Sequence, residues 1–122
     1  MKENMLFSGE SKNIEYKVTV PDKSEKYMKT VVAFANGKGG KIFFGVDDKT
    51  LEIVGMNTEN IYKTMDAITN AISDACEPSI RPDVALQTVK DKTGIVVEIL
   101  PGAQRPYYIK SQGMIDGTYV RV

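Results

Sequence analysis

Residues 42–46, Ile-Phe-Phe-Gly-Val, form a bulky apolar run with no polar residue in it. Such a strand has no face to offer water, so it reads as a central strand covered on both sides. The rest of the chain must supply those covering layers. Upstream, Ile14, Tyr16 and Val18 alternate with Glu15, Lys17 and Thr19, the period of a short strand with one buried face, and Pro21 ends it. Asp22 and Glu25 have the spacing of a capping pair, and Tyr27, Val31, Phe34 and Ala35 recur at helical intervals, which predicts a helix over 23–35. Gly39-Gly40 then turns the chain into the central strand. Asp47-Asp48-Lys49-Thr50 is a polar turn from which 51–54 can return as a hairpin partner.

Beyond it, Ile61, Met65, Ile68, Ile72 and Cys76 mark one stripe of a second helix, with Asn57 or Thr58 available as its cap and Pro78 closing it. Residues 83–89 and 95–100 form an antiparallel pair around Lys92-Thr93-Gly94, and Pro101-Gly102 breaks the run. Residues 107–109 and 119–122 complete the pattern as short strands around a Gln112-Gly113 and Asp116-Gly117 loop. The expected architecture is α+β, a mixed sheet with two main helices in the order β-α-β-β-α-β-β-β-β. With 122 residues the chain makes one domain and cannot hold two independent cores. It stops at Val122 within an apparent strand, so residues 1–122 are expected to be the N-terminal part of a longer protein. Met5-Leu6-Phe7 is far shorter than the apolar region of a signal peptide, and no run approaches a membrane span; a cytoplasmic protein without a membrane partner is expected.

Two scarcities restrict the chemistry. There is no histidine, which excludes Ser-His-Asp triads, imidazole acid/base catalysis and His-containing zinc sites. The single Cys76 can form neither an internal disulfide nor a multi-cysteine metal site. Catalysis would fall to carboxylates, Lys, Tyr, Ser or a carboxylate-held metal.

Lys and Arg total 16 against 16 Asp and Glu, so no overall positive field draws the chain to nucleic acid. The charge is nevertheless uneven. Residues 1–41 hold eight lysines and five acids, residues 42–83 three basic and eight acidic groups, and the remainder five against three. The first third and the last therefore can gather a local positive patch from Arg105, Lys110, Arg121 and the lysines around the first helix.

Gly37-Lys38-Gly39-Gly40-Lys41 invites a phosphate-loop reading. The first glycine of that pattern would fall at Ala35, the hydroxyl residue after the lysine is Ile42, and the run leaves a helix to enter a strand. It reads instead as a glycine C-cap and tight turn, whose two lysines can still meet a nucleic-acid phosphate. Asp47 and Asp48 end the central strand while Glu10 and Glu15 precede or lie on the first; convergence of three or four would hold a divalent metal, and ordinary hairpin turn chemistry is the other reading. Tyr107 and Tyr108 either stack bases or alternate inward and outward on a strand. The Met positions read as packing.

Taken together, Glu10-Ser11-Lys12-Asn13-Ile14-Glu15-Tyr16-Lys17, Ala33-Phe34-Ala35-Asn36 with Gly39-Gly40, Phe44-Gly45-Val46-Asp47-Asp48 and Val54-Gly55 resemble the Schlafen-type AlbA-like domain. Arg105-Pro106-Tyr107-Tyr108 and Gly117-Thr118-Tyr119-Val120-Arg121-Val122 extend the likeness over nearly all of the chain. The resemblance implies a fold related to the archaeal chromatin protein Alba. It also implies a DNA-binding domain of prokaryotic transcriptional regulators, often ahead of a helicase-related or ATPase-like region. Vertebrate relatives include RNases that use two Glu and one Asp; Glu10, Glu15 and Asp47 match that pattern, with Asp48 as the alternative third acid.

The leading expectation is a DNA-binding module of a larger regulator, contacting phosphates through Lys12, Lys17, Lys38, Lys41, Arg105 and Arg121 and needing no cofactor to do so. The second is an RNase in which Glu10, Glu15 and Asp47 hold Mg or Mn. The third is an interaction domain that forms a homodimer.

Overall fold

A computed structural model describes residues 12–121. Its framework is a four-stranded mixed sheet in the order β1-β2-β5-β4, built from β1 (Ile14–Lys17), β2 (Gly40–Phe44), β4 (Asp83–Val89) and β5 (Lys92–Ile99). β1 runs parallel to β2, with Glu15 opposite Ile42, and the 12-residue helix α1 (Glu25–Asn36) is the crossover that parallel neighbours require. β2–β5 and β5–β4 are antiparallel. Helix α2 (Ile61–Ala75) is followed by β3 (Cys76–Glu77), which pairs with β6 (Tyr108–Ile109) as a separate two-stranded sheet, and a short α3 (Gly113–Gly117) follows β6. The α+β class and the mixed sheet agree with the sequence pattern.

The central strand is covered on both sides, as its apolar run demands. Ile42 and Phe44 lie in the main core with Ile95, Val97 and Ile99 of β5, and α1 and α2 close that face through Val31, Phe34, Ile68 and Ile72. The opposite face carries a smaller cluster of Tyr16 and Val46 with Ile14, Phe43, Leu51 and Ile53, the Tyr16 and Phe43 rings stacking at 5.4 Å. Strict alternation would place Val46 with Ile42 and Phe44. Gly45, at φ +94°, breaks it: the amides of Gly45 and Val46 both point to the Lys17 carbonyl, at 2.8 and 3.3 Å, and this local bulge moves Val46 to the other face.

Local details differ from the sequence pattern where polar groups find other partners. α1 begins at Glu25 after Ser24, without a side-chain cap, so Asp22 is not its cap. α2 begins after Asn60, while the Asn57 side chain accepts the Glu59 amide two residues on instead of capping the helix. The 51–54 segment pairs through a single bridge, Val46–Ile53, because Leu51 (φ 62°) and Gly55 (φ 81°) bend the chain out of strand geometry on both sides. Residues 119–121 form no strand; their groups are held by side chains described below. The Gly113–Gly117 segment, expected as loop, is the short α3.

Candidate nucleic-acid interface

Helix termini leave backbone carbonyls that need donors, and at the end of α1 those donors come from the turn that follows it and from a distant loop. The Phe34 carbonyl accepts the Gly37 and Gly39 amides at 3.1 and 2.9 Å, the Ala35 carbonyl accepts the Gly102 amide at 2.8 Å, and the Asn36 carbonyl accepts Arg105 Nη1 at 3.3 Å. The Asn36 side chain extends the hub. Its amide nitrogen donates to the carbonyls of Tyr107 (2.9 Å) and Tyr119 (3.0 Å), and its oxygen accepts the Tyr107 amide at 2.7 Å. Segments 37–39, 102–107 and 119–121 thus converge on the last turn of one helix.

The strand entry is clasped to the same place. Asn13 Nδ2 donates to the Gly39 carbonyl at 2.8 Å, while the Asn13 carbonyl accepts the Lys41 amide at 2.9 Å. Only glycine fits between these contacts: a Cβ on Gly40 would sit 2.6 Å from the Phe34 ring and 2.7 Å from the Asn13 carbonyl, and one on Gly39 2.6 Å from the Ile99 carbonyl. The glycine-lysine run is therefore the C-cap and turn that the sequence indicated, in an order opposite to that of a phosphate loop. Its fold consequence is that Lys12, beside Asn13, joins Lys38 and Lys41, beside Gly39 and Gly40, at the end of α1 where Arg105 already lies. All four side chains are exposed, and among the described residues Lys12, Lys38 and Lys41 make no ion pair.

The other two cations, Lys17 and Arg121, meet a carboxylate. Arg121 Nη1 contacts Glu15 Oε1 at 2.6 Å, its Nε donates to the Lys12 carbonyl at 3.1 Å, and its guanidinium stands 5.3 Å over the Phe34 ring. Lys17 Nζ lies 3.5 Å from Glu15 Oε2. Thr30 of α1 donates its single hydroxyl proton between both Glu15 oxygens, at 3.1 and 3.2 Å. Glu15 and Arg121 form a partly buried cross-link beneath the Lys12 backbone, and Arg121 fixes the position of that backbone.

Asp47 is also occupied locally. One of its oxygens accepts the Lys49 and Thr50 amides at 2.8 and 2.9 Å, a turn that holds its carboxyl below the usual carboxylate range. Glu10, the remaining acid of the expected metal set, lies outside the described residues, as does Met5. Among the described residues no group of three or more Cys, Asp or Glu side chains gathers in a way that could hold a metal ion. Tyr107 is buried with its hydroxyl oxygen accepting the Gln104 amide at 3.1 Å, whereas Tyr108 is half-buried, so the pair alternates inward and outward. No helix among the described residues is long and apolar enough to cross a membrane.

Sequence reasoning identified the cations but missed the residues that bring them together, Asn13, Thr30 and Asn36. Asn13 and Asn36 stood within the motifs that carried the resemblance, without a role assigned to them, and Thr30 had no signal beyond a polar position within the first helix.

A family model described as Schlafen, AlbA_2 matches residues 10–122. An uncharacterized ATP-binding protein of Ureaplasma parvum is 32% identical over 96 residues, which are 75% of this chain and 26% of that protein, so the chain spans about a quarter of this curated relative's length. Among solved structures, the N-terminal domain of a Nitrosomonas europaea protein described as related to the ATP-dependent DNA helicase RecG matches with TM-score 0.68 and 32% identity over 93% of this chain and 80% of its own. A Corynebacterium diphtheriae protein shares the fold at TM-score 0.62 and 20% identity, over 91% of this chain and 21% of its own.

Proposed function

The chain belongs to the Schlafen AlbA_2 family, and from that premise we propose that it binds nucleic acid, DNA first, through phosphate contacts at the carboxyl end of α1. The observation that carries this reading is the convergence on one helix end of the backbone segments that bear exposed Lys12, Lys38, Lys41 and Arg105, in a chain of zero net charge. The negative dipole at the helix end draws cations there and offsets part of their charge; Lys41 stands opposite Glu98 across the β2–β5 pair, while Lys12 and Lys38 form no ion pair among the described residues. Flexible ammonium groups on a glycine-rich turn suit phosphate oxygens and carry no base-specific geometry, so the contact is one of position more than sequence. Lys17 and Arg121 act behind this rim, by way of Glu15, to hold it in place.

The description of the Nitrosomonas relative as related to a DNA helicase supports DNA as the first partner to test. The setting we propose is a larger transcriptional regulator in which this domain supplies the nucleic-acid contact. The test is a mobility-shift titration of the chain with duplex DNA at two salt concentrations. Four phosphate contacts predict a fall of log affinity with log salt of slope about −3 to −4. Absence of any retarded species at low salt, with DNA or RNA, rejects the reading.

A further inference from the structure

On the α2 side of the molecule, a cleft of about 620 Å³ opens between the 20–24 segment, Tyr27 of α1 and the first three turns of α2. Its volume falls within the usual range for small-molecule sites. Val20 and Pro21 form one apolar wall, and Ala67, Ile68 and Ala71 of α2 the other. Tyr27 is the unusual lining group. It is only 3% exposed, its ring is edge-on to Phe44 at 5.5 Å, and its hydroxyl makes no hydrogen bond among the described residues. No buried polar side-chain atom among the described residues is sealed without a partner, so the Tyr27 hydroxyl must open onto the cleft that the residue lines. Water can meet the hydroxyl there, and a ligand oxygen can take the place of that water.

The electrostatics indicate what would satisfy it. Burial pushes the Tyr27 phenol above its usual range, so it stays protonated at neutral pH and offers a donor. Lys63 and Thr64 line the same cleft from the first turn of α2; the Thr64 hydroxyl donates to the Asn60 carbonyl at 3.2 Å, and the Asn60 side chain itself makes no capping hydrogen bond. Donors and positive potential therefore face inward from two elements. Asp22 stands on the lining as its sole acid, which disfavours a second negative charge.

We propose that this cleft binds a small monoanionic organic acid, its carboxylate taken by Lys63 and the Tyr27 hydroxyl and its apolar body laid against Ala67, Ile68 and Ala71. None of the cations at the end of α1 lines it, so this site and the nucleic-acid reading stand or fall separately.

The test uses phenylacetate as the probe, with 2-phenylethanol as its neutral counterpart and phenyl phosphate as a dianion, in NMR titrations followed at the Ala67, Ala71 and Tyr27 signals. Saturable shifts with phenylacetate, at least about fivefold weaker binding of the other two, and a similar loss in Tyr27→Phe and in Lys63→Gln would support the site. Tyr27→Phe removes a hydroxyl that holds nothing in the fold, and Lys63 is exposed, so both variants should remain folded. No saturable shift up to about 10 mM probe, tighter binding of phenyl phosphate, or wild-type affinity in both variants would overturn it.

Discussion

Arg121 and Glu15, 106 positions apart, meet at 2.6 Å, and through this contact the end of the described chain is fastened to its first strand. Both side chains are more than two-thirds buried, at 27% and 15% exposure, and Thr30 and Lys17 converge on the same carboxylate. The pair therefore acts inside a small network and not as an isolated surface bridge. Removing Arg121 leaves a partly buried carboxylate with weaker partners; Arg121→Ala should destabilise the domain by about 1–3 kcal/mol. Urea unfolding of Arg121→Ala, Glu15→Gln and the double variant should give a coupling of about 1 kcal/mol or more. Additive losses would mean that the contact holds nothing together.

Asn36 satisfies three backbone groups from two segments. No hydrophobic side chain can replace that set, and Asn36→Ala leaves the Tyr107 amide and carbonyl and the Tyr119 carbonyl in need of water. An equilibrium loss of about 2–4 kcal/mol is expected, together with faster amide exchange in residues 107–121 than in β2 or β5. Equal exchange in all these segments would show that the helix end does not anchor them.

Much of this architecture can be read in the residues themselves. The run 42–46 required cover on both faces, and the stripe from Ile61 to Ile72 marked a helix with one buried side, because hydrophobic periodicity reports burial directly. Gly45 was less legible: a glycine within a strand signals a bulge, but only the paired contacts to Lys17 show that it reverses the side chain of Val46. The 51–54 segment misled because β-branched residues suit a strand, and the left-handed turn at Leu51 overrides that local preference. The interface was half legible. Lysine positions are visible in the sequence, yet their gathering depends on hydrogen bonds from Asn13 and Asn36 to partners 26 and 71 positions away, and such polar pairings leave no periodic trace.

Lys38 and Lys41 flank the glycine turn and carry no ion pair among the described residues, so neutralising them should leave folding intact while removing two phosphate contacts. Lys38→Gln with Lys41→Gln is expected to lower the steepness of the salt dependence of DNA binding by about 2 and to weaken all sequences alike. Fluorescence anisotropy at several salt concentrations measures both. A loss confined to particular sequences would point to base reading instead.

Cys76 is buried at the end of α2, 3.7 Å from the Met28 sulfur, and burial pushes its thiol up to about 11. At pH 8 the native thiol is therefore protonated and shielded. Reaction with a disulfide reagent should proceed only through opening of the fold, accelerating with urea in step with global unfolding. Rapid labelling in native buffer would place Cys76 at a surface or in a frequently opened segment.

Asp47 makes the clearest acid-side prediction. Its carboxylate takes two backbone amides in the 47–50 turn, which lowers its affinity for protons in the folded state relative to the unfolded one. The unfolded chain then binds the proton more readily, so the contribution to stability is complete above the ordinary carboxylate range and disappears as pH falls through the lower, folded value. Asp47→Ala should be less stable than the parent at neutral pH and should lose less stability between about pH 5 and pH 3, the two unfolding curves drawing together at the acid end. Because the turn carries Leu51 and Ile53 onto Tyr16 and Phe43, the variant should also broaden the aromatic NMR signals of that smaller cluster. Parallel pH profiles for parent and variant would show that the two amides do not distinguish the charged carboxyl from the neutral one.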